Sequence, residues 1–335
     1  MRFVALALVL LGGLVSAGAQ TGARHLQFDD GPAHNKSQVP GLLWQAIHSA
    51  HHAHYSGEKT VQFLHNGKSF SHEELVYRDG VKTRIEFPAG SHFAGQVIVE
   101  DANGRKHYFP DRNEVVVLPP RREESLDRLL RLVDRAKQGK VGLAVASGQR
   151  IAGLLTSQVV VSDESGNVTQ RIYIEPKSGV VLKRELFEAG GSRWGAFEYS
   201  QVDLNPPPFD PSLFQFERRG VRTVTPKDLL RKLVVGKEFV GVSLPPSSGY
   251  LLEESRLDKI DGTPVLIESY VKKGETKEGS KLSVFEISGT VEPSQFARFS
   301  RNDFHAASIQ KDGKTYVVVG SLGLDSLNQL AQSLN

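Results

Sequence analysis

Residues 170–216 read QRIYIEPKSGVVLKRELFEAGGSRWGAFEYSQVDLNPPPFDPSLFQF. A strand is expected over 171–175, a tight Pro176-Lys177-Ser178-Gly179 turn, a second strand over 180–187 and a third over 196–204. Gly179 and the Gly190-Gly191 pair supply the positive φ that hairpin turns require. In 180–187, Val180, Leu182 and Leu186 share one face and Lys183 and Glu185 the other. With Val181 and Phe187 as exceptions, that is the pattern of a half-buried antiparallel strand. The stretch leaves through a proline-rich exit, 205–211, and ends in Phe214 and Phe216.

Upstream, Ser37 is placed to cap a helix with Pro40 in its first turn. Val39, Leu42, Leu43, Ala46, Ile47 and Ala50 form one apolar stripe, and the helix is expected to end near 55–57. A meander follows, with strands over 60–65, 72–78, 81–87, 95–100, 106–109 and 114–118. Asn66-Gly67, Asp79-Gly80 and Asn103-Gly104 mark its hairpin turns. Residues 121–138 are a charged amphipathic helix with Leu126, Leu129, Leu130 and Val133 on one face and Gly139 as its C-cap. Strands resume near 151–162 and run into the opening stretch. The order helix, strands, helix, strands suits an α+β fold: a curved antiparallel sheet, or half-barrel, with two helices on its concave face.

Downstream, 205–225 is the domain boundary, marked by its prolines and by Arg218-Arg219-Gly220. Thr225-Pro226 starts a helix over 227–235. Strands are expected over 240–244, 250–256, 264–271 and 282–287, linked by Asp261-Gly262 and a solvated tip over 272–281. A helical turn over 293–300, a hairpin of 304–310 with 315–319 over Asp312-Gly313, and a helix over 324–334 complete a smaller α+β domain.

A chain of 335 residues with 39% hydrophobic and 24% charged residues fits two globular domains. A net charge of +3 is no footprint for nucleic acid, and no nucleic-acid partner is expected. Met1-Arg2, the apolar run 3–15 and the small residues Ser16-Ala17-Gly18-Ala19 read as a secretory signal peptide cleaved after about Ala19. No other apolar stretch reaches spanning length, so no stable membrane insertion is expected after cleavage. With no cysteine, disulfides, thiolate metal sites and an N-terminal lipid anchor are excluded. Export without disulfides points to a bacterial periplasm. The expected division is 1–19 signal peptide, 20–36 flexible lead, 37–217 first domain, 218–226 linker and 227–335 second domain.

An acidic-Pro-x-x-Gly turn (Glu175 to Gly179), Leu182-Lys183-Arg184-Glu185, a Gly-rich turn, Phe197-Glu198-Tyr199 and the closing Phe209-Asp210-Pro211-Ser212-Leu213-Phe214 resemble the end of the lipoprotein-carrier fold. That fold is shared by LolA, LolB and the amino-terminal domain of the RseB/MucB regulators of envelope-stress sigma factors. The second half carries Leu282-Ser283-Val284-Phe285 and a hairpin followed by a helix, so the two halves together resemble the RseB/MucB family. The Trp-x-Pro-x-Gly-Phe entry of that family's second domain is missing; only Val240-Gly241-Val242 stands near there. The resemblance implies a periplasmic protein that binds the periplasmic part of a membrane-anchored anti-sigma factor and senses lipid-bearing signals. The alternative is a soluble lipoprotein or lipid carrier of the LolA type. A third reading is an envelope structural or adaptor protein with a filled core and no ligand.

Leu43, Ile47, Leu129 and Val133 from helices, with Val61, Phe63, Ile85 and Phe87 from strands, are candidates to line an acyl-chain cavity in that fold. Periodicity alone equally describes a filled core. His48 and His52, four apart on one helical face beside His51 and His54, have the spacing of a metal pair, yet no acidic residue follows at ligand spacing. Gly-x-Ser-x-Gly and Gly-x-Gly-x-x-Gly are absent, and Gly313-Lys314-Thr315 lacks the first glycine of a phosphate loop. No enzyme and no cofactor is expected.

Overall fold

The structure is a computed structural model and describes residues 41–65, 68–119, 124–188, 190–260, 262–273, 281–289, 291 and 304–335. The expected signal peptide and lead, the Ser37 cap, the Asn66-Gly67 turn, Asp261, most of the 272–281 tip and the 293–300 turn lie outside the described residues.

The chain runs α1 (Gly41–His52), β1 (His54–His65), β2 (Lys68–Asp79), β3 (Lys82–Glu86), β4 (Val97–Glu100), β5 (Arg105–Phe109), β6 (Glu114–Leu118) and α2 (Glu124–Lys137). It continues β7 (Gly142–Ile151), β8 (Leu154–Ser162), β9 (Val168–Ile174), β10 (Val181–Phe187), β11 (Arg193–Asp203), β12 (Arg222–Val224) and α3 (Pro226–Val234). The last part is β13 (Tyr250–Ile260), β14 (Thr263–Lys272), β15 (Lys281–Ser288), β16 (His305–Lys311), β17 (Lys314–Gly320) and α4 (Leu324–Gln332). The fold is α+β. Twelve strands form one sheet in the order β12-β6-β5-β4-β3-β2-β1-β11-β10-β9-β8-β7, and five form a second in the order β13-β14-β15-β17-β16.

The first sheet is mixed rather than purely antiparallel. β12, inside the span expected as a linker, adds to β6 in parallel, with Arg222, Thr223 and Val224 opposite Glu114, Val115 and Val116. The pairing forms because Asn113 sits at φ 48 and turns its carbonyl to the N–H of Arg222 at 3.0 Å.

The residues fall into two compact units: one holds 41–51, 57–73 and 129–202, the other 52–56, 74–128 and 203–335. In the first, α1 and α2 lay Leu43, Ala46, Leu129, Leu132, Val133 and Ala136 against Val159, Val161, Ile172 and Ile174. Leu43, Ile172 and Ile174 are wholly buried, which stabilises by about 2 kcal/mol for each side chain. The Glu175 carboxylate accepts the N–H groups of Lys177 (3.1 Å) and Ser178 (2.6 Å), closing the turn between β9 and β10. Gly179, at φ +73, lies so near the Gln45 carbonyl that a Cβ would collide with it. In the second unit, the central strands β14, β15 and β17 of the five-stranded sheet are buried on both faces. One face packs Leu266, Leu282, Val284 and Val318 with Leu230 of α3 and Leu327 and Ala331 of α4. The other packs Val265, Ile267, Phe285, Ile287 and Val317.

Four expectations change. First, α1 ends at His52, and 55–57 belong to β1. The Ala53 carbonyl accepts Gly80 N–H at 2.9 Å. Gly57 admits the Tyr199 ring and the Gln201 carbonyl of β11. Second, β7 precedes the point where strands were expected to resume. Its alanines, Ser147 and Gly148 hide the alternation, and a register shift between Ser147 and Arg150 breaks it. Third, 240–244 is no strand: the N–H groups of Val240, Gly241 and Val242 go to side-chain carboxylates, described below, and Ser243 exchanges backbone hydrogen bonds with Asn335. Fourth, the supposed outer face of β10 is not solvated: Glu185 is 7% exposed. The expected turn at Asp312-Gly313 is present, with Gly313 at φ 73, whereas the one expected at Asp79-Gly80 lies one residue on, at Gly80-Val81, with Asp79 paired to Lys82 and Gly80 at φ 59. Gly139, at φ 71, closes α2 with its N–H on Ala136 O at 3.0 Å.

Candidate functional site

The cavity candidates do not converge on one place. Leu43, Leu129 and Val133 meet in the helix–sheet core, with Ile47 packed at its margin. Val61 and Phe63 are half-buried; Phe63 stacks on Phe70 with ring centroids 5.4 Å apart. Ile85 is half-buried, whereas Phe87 is buried and meets Phe93 edge-on at 5.5 Å. The core group packs its side chains against one another.

His48 and His52 share α1, but His54 belongs to β1. The His54 ring nitrogens face Asp79 Oδ1 at 3.2 Å and the Pro206 carbonyl at 3.3 Å, and its ring packs on Phe209 at 4.5 Å. Among the described residues, no group of three His, Asp or Glu side chains comes together that could hold a metal ion.

Two places that sequence reasoning did not single out carry concentrated polar chemistry. The first is an open cleft of about 530 Å³ where 216–223 passes β5 and β6. Lys106, Arg218 and Arg219 give it cations, Glu217 an acid, and Val115, Val117, Phe216 and Val221 an apolar lining. Its wall is firmly held. Phe216 stacks on Tyr108 at 4.8 Å, and the Arg218 guanidinium lies 5.1 Å from the same ring. Asn113 Nδ2 donates to the Gly220 carbonyl at 2.9 Å, and Gly220 itself sits at φ +74. Behind the wall, the buried Glu114 pairs with Arg222 and with Lys232 Nζ at 3.5 Å. The run Arg218-Arg219-Gly220-Val221-Arg222 was the available signal for this cleft.

The second is inside the five-stranded sheet. Glu268 and Glu286, each 1% exposed, stand on β14 and β15 with Glu268 opposite Val284 and Glu286 opposite Leu266. Glu286 accepts the N–H groups of Val240 and Gly241, each at 2.9 Å, and faces Lys314 Nζ at 2.5 Å. Glu268 accepts Val242 N–H at 2.9 Å and Tyr270 O–H at 2.6 Å. The Tyr270 hydroxyl also lies 3.1 Å from the Val242 carbonyl. Burial pushes the Glu268 carboxyl up to about 7, against the lowering by Tyr270 and Val242 and with a further push from Glu286. Burial, then Glu268, raises Tyr270 as well. A lone Glu within each of the apolar runs VLIESYV and LSVFEIS was the signal for this pair.

No helix among the described residues is long and apolar enough to cross a membrane. No family model matches the sequence. No curated protein matches it either. Among solved structures, the chain is similar to Pseudomonas aeruginosa MucB in a MucA/MucB complex, at 16% identity over 88% of this chain and 97% of that one, with a TM-score of 0.44. It is similar to MucB in complex with MucA(peri) at 17% identity, over 88% and 97% of the two chains, with a TM-score of 0.41. About half of the chain is similar to a LolA superfamily protein from Nitrosomonas europaea, at 11% identity over 50% and 94% of the two chains, with a TM-score of 0.24.

Proposed function

We propose that this chain is a periplasmic binding and regulatory protein of the RseB/MucB type. It holds the periplasmic part of a membrane-anchored anti-sigma factor and releases it when a lipid-bearing envelope signal arrives. In this reading the first sheet is a half-barrel closed over by α1 and α2, residues 37–217 form the carrier-like domain, and 227–335 form the second. The mechanism is a shift in binding equilibrium and needs no catalytic group: the signal has to prefer the form that has let the partner go.

The observation that carries this reading is the order of elements. One helix, six strands, a second helix and six more strands precede α3 and a separate five-stranded sheet, with α3 and α4 packed on one face of it. The motifs of 170–216 resemble the end of the lipoprotein-carrier fold, and that resemblance implies a curved sheet with two helices. An acyl chain would bind between α1, α2 and β7–β9, where Leu43, Ile47, Leu129 and Val133 now fill the space.

The test is capture of partners from an envelope extract of the source cells by the purified chain, with proteins and extracted lipids both identified by mass spectrometry. Recovery of a single-pass membrane protein with a cytoplasmic sigma-binding segment is the expected result. Stoichiometric acyl lipid or lipoproteins without that partner establish a carrier instead. Recovery of neither overturns both.

A further inference from the structure

We propose that the cleft between 216–223 and the β5–β6 hairpin is a docking site for an extended acidic peptide whose alternate residues are apolar. The inference goes beyond the reading above. It rests on the cleft's own residues and holds or fails whatever partner the whole chain has.

Three observations carry it. The first is charge. Lys106, Arg218 and Arg219 stand against the single acid Glu217, so the cleft attracts an anionic ligand in a chain whose net charge is only +3. The second is the lining. Val117, Val221 and Phe216 give an apolar surface beside those cations. An extended strand alternates its side chains between two sides, so one strand can meet the cations with one set and the apolar lining with the other. A small inorganic anion would use only the charges.

The third is backbone. Among the described residues, β12 is the terminal strand of its sheet. In a parallel ladder alternate residues bond to the neighbour. Arg222 gives its N–H to Asn113, so Thr223 turns its N–H and carbonyl to the open edge. Thr223 lines the cleft and is exposed. A peptide main chain is the ligand that uses such an edge. The wall is also preorganised. Asn113 fixes Gly220 and Arg222, and Tyr108 fixes Phe216 and Arg218, so little ordering remains to oppose binding.

The experiment is fluorescence anisotropy of the purified chain with a short labelled peptide of alternating Glu and Val. Saturable binding that weakens as salt rises is expected. The Lys-Val peptide of equal length should not bind. Arg219→Glu should weaken binding by about tenfold or more. Arg231→Glu, an equal change of net charge on the exposed face of α3, should leave it unchanged. Arg218→Ala can loosen the wall through Tyr108, so Arg219→Glu, checked for its fold by circular dichroism, decides the matter. Equal binding of the Lys-Val peptide, or wild-type affinity in Arg219→Glu, overturns the proposal. So does binding of phosphatidylglycerol vesicles or inorganic phosphate in place of the peptide.

Discussion

Glu185 on β10 and Glu268 on β14 are both removed from water, at 7% and 1% exposure, yet the chain accommodates them in opposite ways. Glu185 is surrounded by cations. Lys183 Nζ lies 3.6 Å away, Arg193 Nη1 3.2 Å away, and the Tyr173 hydroxyl donates at 3.2 Å. Burial works to lower the Lys183 pKa, but Glu198 and Glu185 outweigh it and hold it above its ordinary range. Glu268 instead meets a hydroxyl and a backbone N–H, with the acid Glu286 nearby. One carboxylate is met by opposite charges; the other, among neutral donors in an apolar sheet, is driven toward its acid form.

The sharpest way to break the contrast is to give Glu286 the surroundings of Glu268. Lys314→Met removes the cation that faces a carboxylate of 1% exposure, and the five-stranded sheet should lose about 3–5 kcal/mol. Urea unfolding followed by hydrogen exchange of the β14 and β15 amides reads this loss, and a change confined to below about 1 kcal/mol would rule out a buried ion pair.

Next comes pH. The folded pKa of Glu268, about 7, lies above its ordinary 4.5, so the protonated carboxyl favours the fold. Its contribution is complete below about pH 4.5 and is lost as pH rises through 7. The loss is on the order of 3 kcal/mol across that window. Glu268→Gln should flatten the pH dependence of β14 exchange protection there, and an unchanged slope would place the titration elsewhere.

Tyrosine deletions come third. Tyr270→Phe strips the hydroxyl that donates to Glu268 and lies beside the Val242 carbonyl, and should cost about 1–3 kcal/mol. Tyr173→Phe leaves Lys183 and Arg193 on Glu185 and should cost about 1 kcal/mol. Thermal melts of the two variants side by side check the ranking. Smallest is Arg193→Ala. Its side chain is 46% exposed and Lys183 remains, so less than about 1 kcal/mol is expected from chemical denaturation.

The same contrast explains what the sequence shows and what it withholds. Hairpins were legible where turn chemistry is local. Pro176 to Gly179 and Asp312-Gly313 fall between strands where expected, the turn after Asp79 is off by one residue, and the Thr225-Pro226 start of α3 carries a full capping box with Asp228. Partners that lie far along the chain were not legible. The alternation in 240–244 reads as a strand, but the acceptors for the N–H groups of Val240, Gly241 and Val242 are glutamates 26 to 46 residues away, and that for Ser243 is the Asn335 carbonyl. Lys183 and Glu185 read as a solvated face because their cover comes from β9 and β11, not from β10 itself. β7 was lost because Gly148 is there to make room for the Thr156 carbonyl, which only the folded neighbour reveals. Of the eight cavity candidates, the helical four were brought together in or beside one core, because a stripe on a helix specifies a single face. The strand four were not, because alternation says which side is buried and not against what.

β12 ends at Val224, and the next residue, Thr225, is the N-cap of α3. No spacer lies between the ladder and the helix, and Pro226 stiffens the junction further. The helix that packs on the five-stranded sheet through Leu230 is thus joined, with only its cap residue between, to the three residue pairs that hold β12 on β6. The register of that short ladder and the start of the helix are fixed by one continuous run of backbone, with Arg218 and Arg219 just upstream of it.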